Sequence, residues 1–154
     1  MEQEIEADRG DNKLYLSRRL TDAGQKAYPD HLLKAVKSGT EVSFAEALGK
    51  PGYFRSHEPR GRGLAEVPVT APVTLAEAEF NRFYVRAICL RAIEDEIDEV
   101  VIYRAKPVED PRLESQAKIG RAVAPDRLLK NMRANIGNDA DLGAPNSGLS
   151  VYLE

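Results

Sequence analysis

The stretch Thr74–Ile97, TLAEAEFNRFYVRAICLRAIEDEI, combines length with apolar content as no other segment of the chain does. Thr74-Leu75-Ala76-Glu77 has the form of a capping box. The Thr74 hydroxyl can accept from the Glu77 amide while the Glu77 carboxylate reaches back, so the spacing predicts a helix from Thr74. Ala76, Phe80, Phe83, Tyr84, Ala87 and Leu90 fall in one broad stripe at helical spacing. Val85, Ile88, Cys89 and Ile93 lie outside that stripe, which predicts a helix covered on more than one side.

Arg82 and Arg86 sit one turn apart on the side shared with Cys89 and Ile93. Two guanidiniums among apolar neighbours need partners. One reading has their stems covering apolar surface while Glu79 and other carboxylates pair the heads. The other makes them an anion clamp, because the planar fork of arginine suits bidentate recognition. The helix then runs into Glu94-Asp95-Glu96-Ile97-Asp98-Glu99, where acids oppose the macrodipole. A solvated end paired in part to Arg91 is the simplest account, a docking patch for a basic partner the next. Divalent-cation binding comes last, since no loop of recognisable ligand spacing is present.

Glu99–Ala105 has the β-branched and aromatic density of a strand, ended by Lys106-Pro107, and its consecutive Val100, Val101 and Ile102 predict burial on both faces. Glu66–Thr70 is extended by composition, with Pro68 marking an edge. Strand, long helix and strand would make a βαβ crossover if the strands were parallel. Leu149–Leu153 alternates, which predicts a terminal strand with Leu149, Val151 and Leu153 facing inward.

A chain of 154 residues, 42% hydrophobic and 31% charged, suits one domain with a core of its own. No run reaches the roughly 18 apolar residues of a membrane span, and the first residues do not resemble a targeting signal, so we expect a cytoplasmic protein. Cys89 is the only cysteine, which excludes an intrachain disulfide and a cysteine-based zinc site. The formal net charge of −3 removes bulk attraction to nucleic acid, so any such binding must come from a local patch.

Met1–Asn12, rich in acids, reads as a disordered tail ahead of a globular domain over 13–154. Lys13–Leu20 is a short strand or a helix start, with Leu14, Leu16 and Leu20 expected in the core. Pro29–Ser38 reads as a helix closed by Gly39, and Ser43-Phe44-Ala45-Glu46 as a capping box opening a short helix. The pair invites comparison with a helix-turn-helix, but its second helix carries Glu46 and no residue suited to a base edge. Lys50–Gly63, with Lys50, Arg55, Arg60 and Arg62 against Glu58, reads as a flexible basic loop anchored by Tyr53 and Phe54. Arg112–Ile119 and Pro125–Asn135 complete the helices, the latter burying Leu128, Leu129 and Met132.

Catalytic signatures are absent from the sequence. His31 and His57 have no metal partner at helical spacing, and Asn146-Ser147-Gly148 lacks the elbow of a nucleophilic serine. A metal-dependent nuclease with an acid and a lysine two residues apart at a strand end would need an acid where Arg104 stands before Lys106; Asp98 and Glu99 do not fit that spacing. We therefore expect a single compact α+β domain, or α/β if its strands are parallel, with a three-stranded sheet from 66–70, 99–105 and 149–153 on the long helix. We expect no cofactor and no bound metal. The expected function is a non-enzymatic binding or assembly module that contacts a protein partner or another copy of itself. Arg55, Arg60, Arg62, Arg82, Arg86, Arg104 and Lys106 are the candidate binding residues. A sequence-tolerant nucleic-acid module using the basic loop is the first alternative, and a metal-dependent nuclease built from Asp98, Glu99 and Lys106 the last.

Overall fold

A computed structural model of the chain describes residues 1–138 and 141–154. It is mixed α and β, and it divides into two units, residues 2–80 and residues 81–154. Both sheets are antiparallel, so the class is α+β, and no βαβ crossover forms among the described residues.

In the first unit, α1 (Glu2–Gly10) occupies the stretch expected to be a disordered tail. Ile5 is fully buried, and Lys37–Glu2 (2.6 Å) and Arg9–Asp30 (3.2 Å) ion pairs tie α1 to α2 (Asp22–Ser38). Charge that reads as solvation in one dimension is here charge paired across two helices. Helix α2 begins a full seven residues before Pro29, because Thr21 accepts from the Gly24 amide as N-cap. Leu20 is buried as expected, whereas Leu14 is half-buried and Leu16 is exposed. Helix α3 (Glu41–Leu48) also starts early. Thr40 is its N-cap and Ser43 the reciprocal acceptor of the capping box, so Ser43 sits inside the helix it was expected to open. Tyr28 of α2 meets Phe44 of α3 with ring centroids 5.6 Å apart.

Over residues 50–63, where a flexible loop was expected, the backbone is paired and runs into a hairpin. Leu20 and Phe54 form an antiparallel bridge, the Thr21 amide donates to the Tyr53 carbonyl (2.9 Å), and the Arg55 amide donates to the Arg19 carbonyl (2.8 Å). A Cβ on Gly24 would lie 2.2 Å from the Tyr53 carbonyl oxygen, so only glycine lets α2 approach this closely. Strands β1 (His57–Arg60) and β2 (Gly63–Glu66) then form a hairpin with Arg60 opposite Gly63. Gly61, at φ 61°, takes the first turn position that a two-residue II′ connection demands. The strand expected at 66–70 is therefore displaced upstream into this hairpin. Val67 donates to the Ser56 carbonyl, and Pro68, which has no amide to offer a sheet, accepts from Ala71 in a turn.

Helix α4 (Ala71–Glu94) starts three residues before Thr74, with Pro72 in its first turn, where a missing amide costs nothing. Ala71, Leu75, Ala76, Glu79, Arg82, Phe83, Val85, Arg86, Cys89 and Ala92 are its buried positions, while Phe80, Tyr84, Ala87 and Leu90 are only half-buried and Ile93 is exposed. The deepest line thus includes charged side chains, and of the expected stripe only Ala76 and Phe83 belong to it.

In the second unit, β3 (Val100–Arg104) is central, between β4 (Ala122–Val123) and β5 (Leu149–Leu153). Val100, Val101 and Ile102 are all buried, as their run predicts, but between antiparallel neighbours. Val85, Cys89, Ala92, Val100, Ile102, Leu149 and Val151 share a core with Leu128, Leu129 and Met132 of α6 (Pro125–Ala134), the three residues expected there. Leu149 and Val151 face inward as expected, Leu153 is half-buried, and Ser150 is buried as well. A short α5 (Leu113–Gln116) lies between β3 and β4. Burial pushes the Cys89 thiol up to about 12, so it stays protonated at neutral pH.

The acidic end of α4 closes in a Schellman motif: the Ile97 amide donates to the Ala92 carbonyl (2.8 Å) and the Glu96 amide to the Ile93 carbonyl (3.3 Å). Arg91 pairs with Asp95, as expected. Glu96 occupies the left-handed position at φ 57°, which a side chain disfavours by about 1 kcal/mol or more. Glu96→Gly is expected to raise stability by about 1 kcal/mol, read as a higher urea midpoint at unchanged m-value. A lowered midpoint would mean that the Glu96 side chain contributes more than its backbone costs.

Candidate functional site

The hairpin of the first unit carries two exposed guanidiniums, Arg60 and Arg62, beside a buried carboxylate. Glu58 lies on the inward face of β1 and is buried. Arg19 grips it with two parallel bonds, Nε to Oε2 at 3.0 Å and Nη2 to Oε1 at 2.6 Å, and Arg18 approaches Oε2 at 3.5 Å. This fork holds the Glu58 carboxyl below the usual carboxylate range, with Arg18 and Arg60 adding to the effect. One carboxylate thereby serves several guanidiniums, and Arg19 takes most of it.

Among the described residues, Arg60 and Arg62 form no ion pair in the structure and both are exposed at the hairpin tip. Arg18 keeps 77% of its side chain exposed despite its contact with Glu58. On the outward face, where strand alternation places the side chains opposite to Glu58, stand His57, Pro59, Leu64 and Glu66, all exposed. Arg55, also exposed, donates through Nε to the Leu20 carbonyl (3.1 Å), which fastens the segment to the residues just ahead of α2.

The remaining candidates belong to the second unit, where Arg82 and Arg86 are buried and Arg104 and Lys106 half-buried. Arg82 and Arg86 are 6% and 1% exposed, and neither lacks an interaction partner. The Arg86 guanidinium lies over the Phe83 ring, 5.0 Å from its centroid. Arg104 donates through Nη1 to the Ser147 carbonyl (2.9 Å), bracing the turn before β5. Lys106 is half-buried and engaged. Arg18, Arg19 and Glu58 were not singled out from the sequence. The available signals were the Arg18-Arg19 doublet and the isolated acid in a basic stretch, but only pairing across 39 positions joins them.

Among the described residues, no three or more of His, Cys, Asp and Glu are grouped to hold a metal ion, and no helix is long and apolar enough to cross a membrane. No family model, curated protein or solved structure matches the chain in comparison.

Two outcomes follow from the burial of these charges. Arg86→Ala is expected to cost about 3 kcal/mol or more in urea denaturation, because it strips a buried charge from its surroundings and leaves a void, and Arg86→Lys is expected to restore little of it. A loss below about 1 kcal/mol for the alanine variant would show that the site is not desolvated as described. Glu58 has a lowered carboxyl pKa in the folded chain, so its stabilising effect is present above the unfolded carboxylate range and disappears as pH falls through the folded value. The stability gap between wild type and Glu58→Gln should be constant near neutrality and shrink below about pH 4. A gap that grows in acid would contradict the assignment.

Proposed function

We propose that the protein is a binding module that docks the basic hairpin, Arg18, Arg60 and Arg62 foremost, on an acidic protein surface carried by a partner or by another copy of the chain. The observation that carries this reading is the exposed, unpaired state of Arg60 and Arg62 on a hairpin whose single inward acid is already held by Arg19. Guanidiniums on a tethered, ordered element lose little freedom on docking and steer association by long-range attraction. The second reading, a sequence-tolerant nucleic-acid module, has the same charges in its favour. It lacks a stacking platform, because the nearby rings of Tyr53 and Phe54 are half-buried rather than displayed. Helix α3 offers phosphate nothing, since its exposed face carries Glu46 and its first turn Glu41. A single buried thiol suits a reducing compartment such as the cytoplasm.

Fluorescence anisotropy with two labelled probes, a poly-glutamate peptide and a single-stranded RNA of matched charge, separates these readings. Wild type is expected to bind the peptide with an affinity that falls as salt rises, and the Arg18→Ala/Arg60→Ala/Arg62→Ala variant to lose about tenfold or more. Tighter binding to RNA than to the peptide would transfer the reading to nucleic acid, and no binding of either probe at low salt would remove it.

A further inference from the structure

We infer that the hairpin tip of one copy seats in an acidic-rimmed apolar groove on a second copy, which makes the protein a head-to-tail self-assembling module. This rests on the hairpin reading above and names its acceptor. The groove, about 290 Å³, lies in the first unit between α3 and the segment that opens α4. Its apolar wall is built from Val42, Val69, Pro72 and Val73. Val42, Val69 and Val73 are 60%, 95% and 45% exposed, so three large aliphatic side chains are concentrated on one patch instead of scattered singly. Glu41 and Glu46 stand on the rim, and neither forms an ion pair among the described residues.

The occupant is set by complementarity on two counts. The groove asks for an apolar side chain flanked by positive charge. The hairpin tip Arg60-Gly61-Arg62-Gly63-Leu64 presents that set: Leu64 is 73% exposed on the outward face beside Pro59, with Arg60 and Arg62 at the turn. Leu64 would enter between the valines while the two guanidiniums reach Glu41 and Glu46. The other acidic stretch, Glu94–Glu99, matches the charge of the hairpin but sets only Ile93 exposed beside it, where the groove offers Leu64 three valines together. Donor and acceptor are different surfaces of the same chain, so the contact is heterologous and propagates to a closed ring or an open chain of copies.

Sedimentation velocity of the full chain over a concentration series at low salt tests this with two variants and their mixture. One variant reverses the donor, Arg60→Glu/Arg62→Glu, and the other the acceptor, Glu41→Lys/Glu46→Lys. Wild type is expected to self-associate and to dissociate as salt rises. Each variant alone is expected to associate about tenfold or more weakly, because like charges now face each other. Mixing the two should restore association, since the acidic hairpin of one then meets the basic groove of the other. Such rescue cannot come from misfolding. If the donor variant is monomeric while the acceptor variant associates like wild type, the groove is overturned and the hairpin reading stands. If wild type is monomeric at every concentration, self-assembly is overturned, and the acidic-peptide probe alone decides whether the hairpin binds a different partner.

Discussion

An isolated two-stranded ribbon is marginal in water, and the β1–β2 hairpin of this protein depends on anchorage from outside itself. That anchorage is the fork between Arg19 and the inward carboxylate of Glu58, reinforced by the Arg55 contacts to residues 19 and 20 and by the Tyr53 carbonyl held at the start of α2. Glycine at position 24 is what allows that last approach. Because Glu58 is drawn inward, strand alternation turns Pro59 and Leu64 outward, and the two-residue turn places Arg60 and Arg62 at the extremity. The same ion pair that fixes the ribbon therefore decides which side chains it displays.

Arginine serves two separate purposes in this chain. Along α4, Arg82 and Arg86 are withdrawn from solvent on a line shared with Glu79, and burying such charge is tolerable only where partners and packing compensate its desolvation. Those residues belong to the fold and are closed to a macromolecular partner. On the hairpin, Arg60 and Arg62 keep their hydration and their reach. Arginines of equal promise in the sequence thus divide by burial, which spacing alone does not reveal.

The long helix, the strand over 100–104, the helix from Pro125 and the terminal strand were legible because each is a local pattern: periodicity, β-branched density, a proline at a helix start, alternation. The capping boxes were misplaced by one turn for a common reason. Ser43 and Thr74 both match the motif, yet Thr40 in one case and the tolerance of a first helical turn for Pro72 in the other extend each helix upstream. Helix α1 was hidden because its ion pairs reach residues some twenty to thirty-five positions away, and composition reads unpaired acids as solvation. The hairpin was hidden in the same way: Gly61 announces a turn, but the pairing of Glu58 with Arg19 is a fact of three dimensions. Of the candidate site, the basic character of residues 50–63 was legible, and its shape and orientation were not.

The contact proposed here seats the hairpin tip in the groove beside α3. Amide NMR spectra of the uniformly labelled protein, recorded across a dilution series at low salt, test it most directly. Docking of the hairpin in the groove would give concentration-dependent shifts confined to residues 60–64 and to the groove segments 41–49 and 69–77, moving together along one binding curve. Shifts centred on residues 94–99, or a hairpin whose resonances do not move over the whole series, would contradict it.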